Sequence, residues 1–163
     1  MSQTFEFTPE NRKEFDRLLT RYPVKRAAML PTLHLAQRQH GFIPPEAEEY
    51  VAGLLEVPVT DVREVLTFYS LFTRKKLGRH HIRVCMSLSC WLRGAERVAE
   101  TLTRRLGVEN GSVAEDGEFS WEVVADCMGA CEIAPMMQLD KDYHGPLTPD
   151  AIETAIGGAD GKE

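Results

Sequence analysis

The sequence lacks any long apolar run and any excess of positive charge. No segment approaches the roughly 18 apolar residues that a membrane-spanning helix needs, and the polar start of the chain lacks the apolar core of a signal peptide. With 19 Lys and Arg against 25 Asp and Glu, the net charge is −6, which argues against a general nucleic-acid binder. We therefore expect a cytoplasmic protein that neither inserts into a membrane nor binds nucleic acid.

Motifs for nucleotide binding and for independent catalysis are also missing. The sequence contains no G-x-G-x-x-G, no P-loop and no nucleophile–base pair in a recognisable setting. We expect no NADH or flavin site and no independent active site on this chain. Its five histidines are expected to be surface residues or ordinary core residues.

Cysteine is scarce, and its four occurrences form two close pairs. Cys85 and Cys90 follow the pattern C-x₄-C, whereas Cys127 and Cys131 follow C-x₃-C. Each pair follows a candidate strand. If the two strands end at the same edge of a sheet, the loops that follow them would bring the four sulfurs together.

Several kinds of cysteine chemistry compete with chance burial to explain this pattern. Structural disulfides are rare in the cytoplasm, and structural zinc usually takes tighter C-x₂-C loops. Thiol redox catalysis favours a C-x-x-C motif, which this sequence does not contain. An iron–sulfur cluster is also held by four cysteines, and a two-iron cluster needs two thiolates on each iron. The spacing favours this last alternative without excluding the others.

The pattern of apolar residues changes along the chain and predicts an α+β protein of two domains. Residues 1–72 contain four segments with helical periodicity, which predict a small helical bundle. Residues 73–80 lack an apolar face and are expected to form a solvated linker with a basic run. Residues 81–163 predict the order β-α-β-β-α and hence an α/β or α+β layer of roughly 80 residues.

Several local features carry specific expectations. Pro31 is expected either to kink the second helix, which we favour, or to start a shorter helix. Thr60 is expected to cap the fourth helix, and one helix is expected to run over residues 91–106. The last helix is expected to be capped by Thr148 and to end before Gly157. Three aromatic residues near the end of the fourth helix are expected in the core, with an interface as the alternative: Phe68, Tyr69 and Phe72.

The cysteine spacing, with 36 residues between the pairs, and the stretch CMGACEIAP resemble the thioredoxin-like [2Fe–2S] ferredoxin family. More narrowly, they resemble the NuoE subunits of NADH:quinone oxidoreductase, respiratory complex I. The upstream stretches QRQHGFIPPEA and VREVLTFYSLF are similar to the helical segment of those subunits. The resemblance covers roughly residues 10–156, and its most specific part is the second cysteine stretch.

The resemblance implies a thioredoxin-like domain with one [2Fe–2S] cluster, preceded by a helical docking domain. The implied ligands are Cys85, Cys90, Cys127 and Cys131. The cluster would exchange single electrons with the flavin of a NuoF-like partner, and that partner would bind FMN and NADH. The implied location is the peripheral arm of the complex, on the cytoplasmic side.

Other functions stay open on the sequence alone. Soluble NAD(P)-linked hydrogenases and formate dehydrogenases have an equivalent subunit with the same ligands. A zinc-stabilised interaction module would have no redox role. A free-standing ferredoxin would have no need of a long helical domain.

The residues beside the cysteines set expectations for the electron affinity of the cluster. Gly129 would let backbone N–H groups approach sulfur, and a helix beginning near Trp91 would direct its positive end at Cys90. Asp126 and Glu132 would disfavour additional negative charge. We expect a low reduction potential, since potential depends on hydrogen bonds to sulfur, net charge and exposure.

Overall fold

The computed structural model describes residues 4–160. The chain divides into two compact units, with the boundary between Lys76 and Leu77. The first unit is helical and the second combines helices with a sheet, so the predicted α+β class is confirmed. None of the helices in the described range is long and apolar enough to cross a membrane. The outer ends of the predicted domains, residues 1–3 and 161–163, lie outside the described residues.

The first unit consists of helices packed around one apolar core. Its elements are α1 (Pro9–Leu19), a 3₁₀ turn (Lys25–Ala28), α2 (Met29–His40), α3 (Pro45–Leu55) and α4 (Val59–Phe68). Burying one large apolar side chain contributes roughly 1.5–3 kcal/mol. The largest fully buried side chains of this unit are Phe15, Leu33, Leu35, Ile43 and Leu55.

A buried carboxylate organises one side of the helical unit. Glu48 on α3 is fully buried, and its two oxygens accept hydrogen bonds from Nε of Arg63 at 2.9 Å and Nε of Arg74 at 2.8 Å. Such partners are needed because an unpaired buried carboxylate is strongly destabilising. Arg74 begins the basic run that we expected in a solvated linker. The structure pairs its side chain with Glu48 of the helical unit, and the following strand begins at His80. The bounds of the linker stay a prediction.

The second unit is built on a mixed five-stranded sheet with the order β2-β3-β1-β4-β5. Its elements are β1 (His80–Cys85), α5 (Leu88–Leu92), α6 (Ala95–Leu106), β2 (Ser112–Val113), β3 (Phe119–Val124), a 3₁₀ turn (Cys131–Ile133), β4 (Met137–Leu139), β5 (Asp142–His144) and α7 (Pro149–Asp160). Its largest fully buried side chains are Ile82, Leu102, Trp121, Met136, Met137, Ile152 and Ile156.

The pairing of β1 with β3 decides where the cysteine segments lie. The two strands are parallel, and Cys85 at the end of β1 is opposite Val124 at the end of β3. The chain between them passes through α5 and α6, because parallel strands need a long crossover connection. β4 lies antiparallel on the other side of β1. Both cysteine segments therefore leave the sheet at the same edge.

Some helix boundaries differ from those predicted. The expected kink at Pro31 is wrong: α2 begins at Met29, so the proline lies in the first turn, where its missing N–H interrupts no helical hydrogen bond. The expected cap at Thr60 is also wrong, because α4 begins at Val59 with Pro58 at the cap. Gly157 does not end α7, which continues to Asp160. The cap at Thr148 is confirmed, since its hydroxyl accepts the N–H of Ala151 at 3.2 Å.

The helix expected over residues 91–106 is divided in two. Gly94 has φ +93° between α5 and α6, a conformation that glycine adopts without steric cost. Of the three aromatic residues expected in the core, only Phe72 is buried. α4 ends at Phe68, whose ring is 78% exposed, and Tyr69 beyond it is also largely exposed.

Two X–Pro peptide bonds of the second unit are cis, Ala134–Pro135 and Gly145–Pro146. The sequence alone does not decide the isomer of the first of them. Gly145 also lies directly against the backbone of Ile133, so that a Cβ at position 145 would overlap the Ile133 carbonyl. Ile133 ends the 3₁₀ turn that begins at Cys131. The close approach at Gly145 therefore supports the segment that carries the fourth cysteine.

We expect Gly145→Ala to lower the free energy of unfolding by about 1–3 kcal/mol, since the added methyl group must displace backbone atoms. Urea denaturation followed by circular dichroism measures this change. Gly157→Ala is the matched control, because a Cβ there meets no atom within 4 Å and alanine favours a helix by up to about 1 kcal/mol. Equal stability of the two variants would contradict the close-approach argument.

Candidate metal centre

The four cysteines occupy two segments at the shared edge of the sheet. Cys85 is the last residue of β1, and Cys90 lies within the five-residue helix α5. Cys127 lies in the loop after β3, and Cys131 begins the following 3₁₀ turn. The expectation that a helix N-terminus near Trp91 points at Cys90 is wrong, because Cys90 is itself inside a short helix.

The sulfurs lie in pairs, and the pairs lie close to each other. Sγ of Cys127 is 3.9 Å from Sγ of Cys131, and the thiols of Cys85 and Cys90 are hydrogen-bonded to each other. Cys90 also interacts electrostatically with Cys131. All four are free thiols in the structure. These contacts support the convergence expected from the two strand ends, and the assignment of the four cysteines as ligands stays a prediction.

The two pairs differ in exposure. Cys85 and Cys90 are each 2% exposed, whereas Cys127 and Cys131 are exposed. The pKa of the Cys90 thiol is raised from 9.0 to about 11, mainly by burial and also by the hydrogen bond with Cys85. A buried thiolate lacks solvation by water. Burial therefore disfavours the thiolate form of Cys90.

Backbone groups donate hydrogen bonds to the sulfurs. The N–H of Gly129 donates to Sγ of Cys127 at 3.4 Å, and the backbone of Met136 hydrogen-bonds Cys90 and lowers its pKa. The carbonyl of Met136 also accepts the N–H of Cys85 at 3.2 Å. Donors to sulfur favour the anionic form, as a cluster held by thiolates requires.

Gly129 is required for its backbone conformation rather than for space among protein atoms. Its φ is +77°, a conformation that costs other residues roughly 1 kcal/mol or more. A Cβ at this position would meet no protein atom within 4 Å. The N–H of Gly129 reaches Cys127 because the chain turns in this way.

The arrangement fits a two-iron cluster. For a metal–sulfur bond of about 2.3 Å, two thiolates on one tetrahedral metal lie about 3.8 Å apart, close to the 3.9 Å between Cys127 and Cys131. Within residues 4–160, no three His, Cys, Asp or Glu side chains are grouped so as to hold a single metal ion. Two pairs provide two thiolates for each of two irons.

Two side chains near the cysteines were not identified from the sequence. Nε of Arg93 donates to the carbonyl of Ala134 at 2.7 Å. The hydroxyl of Tyr143 on β5 donates to the carbonyl of Met128 at 3.2 Å. Neither residue is part of the two cysteine motifs, and Tyr143 lies well beyond both of them in the sequence. The position of Arg93 just after Cys90 in the sequence is the one signal that could have indicated its role.

A cavity of about 500 Å³ lies elsewhere in the second unit, beside α7 and the β4–β5 hairpin. Two of its lining residues, His80 and Asp140, are hydrogen-bonded to each other at 2.7 Å. None of the four cysteines lines this cavity. The cavity is thus separate from the candidate metal centre.

Comparison with known proteins decides the kind of metal centre. The profile of the family described as thioredoxin-like [2Fe–2S] ferredoxin matches residues 15–159. The chain belongs to this family. The resemblance found in the sequence is thereby confirmed, and the family supports a [2Fe–2S] cluster rather than a zinc site.

Named relatives match almost the whole chain. The E subunit of the NADH-quinone oxidoreductase of Rickettsia bellii is 41% identical over 93% of this chain and 92% of its own length. The E 2 subunit of the NADH-quinone oxidoreductase of Rhizobium meliloti is 42% identical over 89% of this chain and 86% of its own length. These relatives are subunits of an oxidoreductase.

A solved structure of a NAD⁺-reducing [NiFe]-hydrogenase in the H₂-reduced state has a similar fold. The TM-score is 0.68 at 16% identity, and the match covers 83% of this chain but only 22% of the hydrogenase chain. At this level of identity the likeness shows the fold alone.

In the reduced, cluster-free protein, we expect Cys127 and Cys131 to react with iodoacetamide at least about tenfold faster than Cys85 and Cys90, because thiolate fraction and exposure control the rate. Brief alkylation followed by peptide mass spectrometry measures the four rates. In concentrated urea the four rates should converge, which provides the control. Native Cys85 reacting as fast as native Cys127 would contradict the burial described above.

Proposed function

We propose that this chain is the [2Fe–2S] electron-transfer subunit of an NADH:quinone oxidoreductase. Cys85 and Cys90 would ligate one iron, and Cys127 and Cys131 the other. When bound, the cluster accepts and releases one electron at a time. The chain's own residues hold it, shield one side from water and donate hydrogen bonds to sulfur.

The observation that carries this proposal is the pairing of the sulfurs at one edge of the sheet, in a chain that matches the oxidoreductase relatives over most of both lengths. The ligand set uses every cysteine in the sequence. No further protein ligand is needed, since a [2Fe–2S] cluster is held by four thiolates.

The partner would be a NuoF-like subunit that binds FMN and NADH, in the peripheral arm on the cytoplasmic side. Exposure of the Cys127 and Cys131 pair supports electron exchange from that side, because the sulfurs there are not covered by the chain itself. Exposed apolar side chains also support a protein partner. On α5, Leu88 and Leu92 are each 69% exposed, and Trp91 is about half exposed.

The equivalent subunit of a NAD-linked hydrogenase is the second candidate, favoured by the shared fold with the [NiFe]-hydrogenase. In that enzyme the matched region is part of a much longer chain, since this protein spans only 22% of it. The NADH-quinone oxidoreductase relatives have nearly the same length as this chain. Identity favours the first candidate, since these relatives are 41% and 42% identical to this chain and the hydrogenase is 16% identical.

Anaerobically purified protein is expected to contain two irons and two acid-labile sulfides per chain and to give an EPR signal from one unpaired electron after reduction. Each Cys→Ser substitution should abolish or strongly alter that signal, because one iron loses a thiolate. Met86→Leu, which changes the neighbour of Cys85 but no thiol, is the matched control. Co-expression with the flavin-binding partner should allow NADH to reduce the cluster.

Stoichiometric zinc in a colourless anaerobic preparation would contradict the cluster. A normal cluster that does not exchange electrons with any NADH-oxidising flavoprotein would contradict the proposed partner. The two outcomes separate the ligand assignment from the assignment to the complex.

A further inference from the structure

Arg93 connects the two cysteine segments through a side-chain hydrogen bond. Its backbone N–H donates to the carbonyls of Ser89 and Cys90, at 3.3 Å and 3.2 Å. Its Nε donates to the carbonyl of Ala134 at 2.7 Å, and the N–H of Ala134 donates to the carbonyl of Cys131 at 3.2 Å. A chain of hydrogen bonds therefore leads from Cys90 to Cys131 through Arg93.

The hydrogen bonds of Cys85 and Met86 to neighbouring segments are made by backbone and thiol groups rather than by a long side chain. The N–H of Met86 donates to the carbonyl of Val124 at 2.8 Å, and that of Cys85 to Met136 at 3.2 Å. These bonds fix the end of β1, where Cys85 lies. Cys90 lies farther along, in a five-residue helix that is followed by Gly94 at φ +93°. The hydrogen bond from the Arg93 side chain to the Ala134 carbonyl holds the end of this helix.

Arg93 also carries the only positive charge in the two segments. In residues 85–93 and 126–136 there is no other Arg, Lys or His, whereas Asp126 and Glu132 are acidic. Four thiolates and a cluster carry negative charge that increases on reduction. A guanidinium nearby stabilises the reduced form more than the oxidised form, since Coulomb energy grows with charge.

We propose that Arg93 is a positioning residue that sets the separation of the Cys85–Cys90 pair from the Cys127–Cys131 pair and raises the reduction potential of the cluster. The inference rests on the proposed function, because it concerns the same four ligands. Arg93 acts through the Ala134 carbonyl and through its charge, not as a ligand. Lysine would keep the charge but not the planar, directed Nε–H.

The test uses the full, cluster-loaded chain with three substitutions: Arg93→Met, Arg93→Lys and Arg104→Met. Arg104 lies in the last turn of α6, so Arg104→Met removes the same charge far along that helix. An EPR-monitored redox titration measures the midpoint potential, and a ferrous chelator measures the rate of iron loss. We expect Arg93→Met to lower the potential and to lose iron several-fold faster than Arg104→Met. Arg93→Lys should keep most of the potential but still lose iron faster than the wild type.

Equal potentials and equal rates of iron loss in Arg93→Met and Arg104→Met would overturn the inference. If the Arg93→Met protein holds no cluster, the Arg93→Lys protein provides the test. A cluster with near-normal potential in Arg93→Lys supports the proposal, and no cluster in either variant overturns the role assigned to the charge. Wild-type protein without a cluster would overturn the proposed function itself, so the two failures are distinguishable.

Discussion

Parallel pairing of β1 with β3 is the interaction on which the cysteine site depends. It places Cys85 opposite Val124, three residues before Cys127 in the chain. A shift of one residue in this register would turn Cys85 to the opposite face of the sheet. The register is fixed by burial of Ile82, Val84 and Trp121, so apolar residues outside the site determine where the sulfurs lie.

In the proposed site, the buried pair would mainly hold the cluster, and the exposed pair would lie where an electron is exchanged. The buried pair is fixed by Met136, whose carbonyl accepts the N–H of Cys85 and whose backbone also hydrogen-bonds Cys90. The exposed pair lies on a turn that depends on the positive φ of Gly129. Partners beyond the ligands orient a metal site as much as the ligands do. Here most of those partners are backbone groups, whose positions follow from the sheet and its loops.

The cysteine pairs, the order of the main helices and strands, and the family were accessible from sequence because each depends on local spacing or periodicity. The break in the helix at Gly94 was not accessible from sequence, since the apolar pattern continues across Gly94. Only the left-handed backbone at that residue shows the break. The exposure of Phe68 was missed for a similar reason: periodicity identifies a helical face but not the residue at which the helix ends. The contacts of Tyr143 and Gly145 with the second cysteine segment join residues far apart in sequence. Only the tertiary fold brings them together.

Burial of one cysteine pair has opposite effects on holding the cluster and on loading it. A thiol must lose its proton before its sulfur can bind iron, and burial makes that loss unfavourable at Cys90. The same burial excludes water and competing thiols once iron is bound. The hydrogen bond from Met136 partly offsets the cost, because it favours the thiolate. Cys127 and Cys131 are exposed, so this pair is the more accessible one to iron that arrives from solvent. In the proposed site, a cluster would be shielded by the buried pair and accessible for electron exchange at the exposed pair.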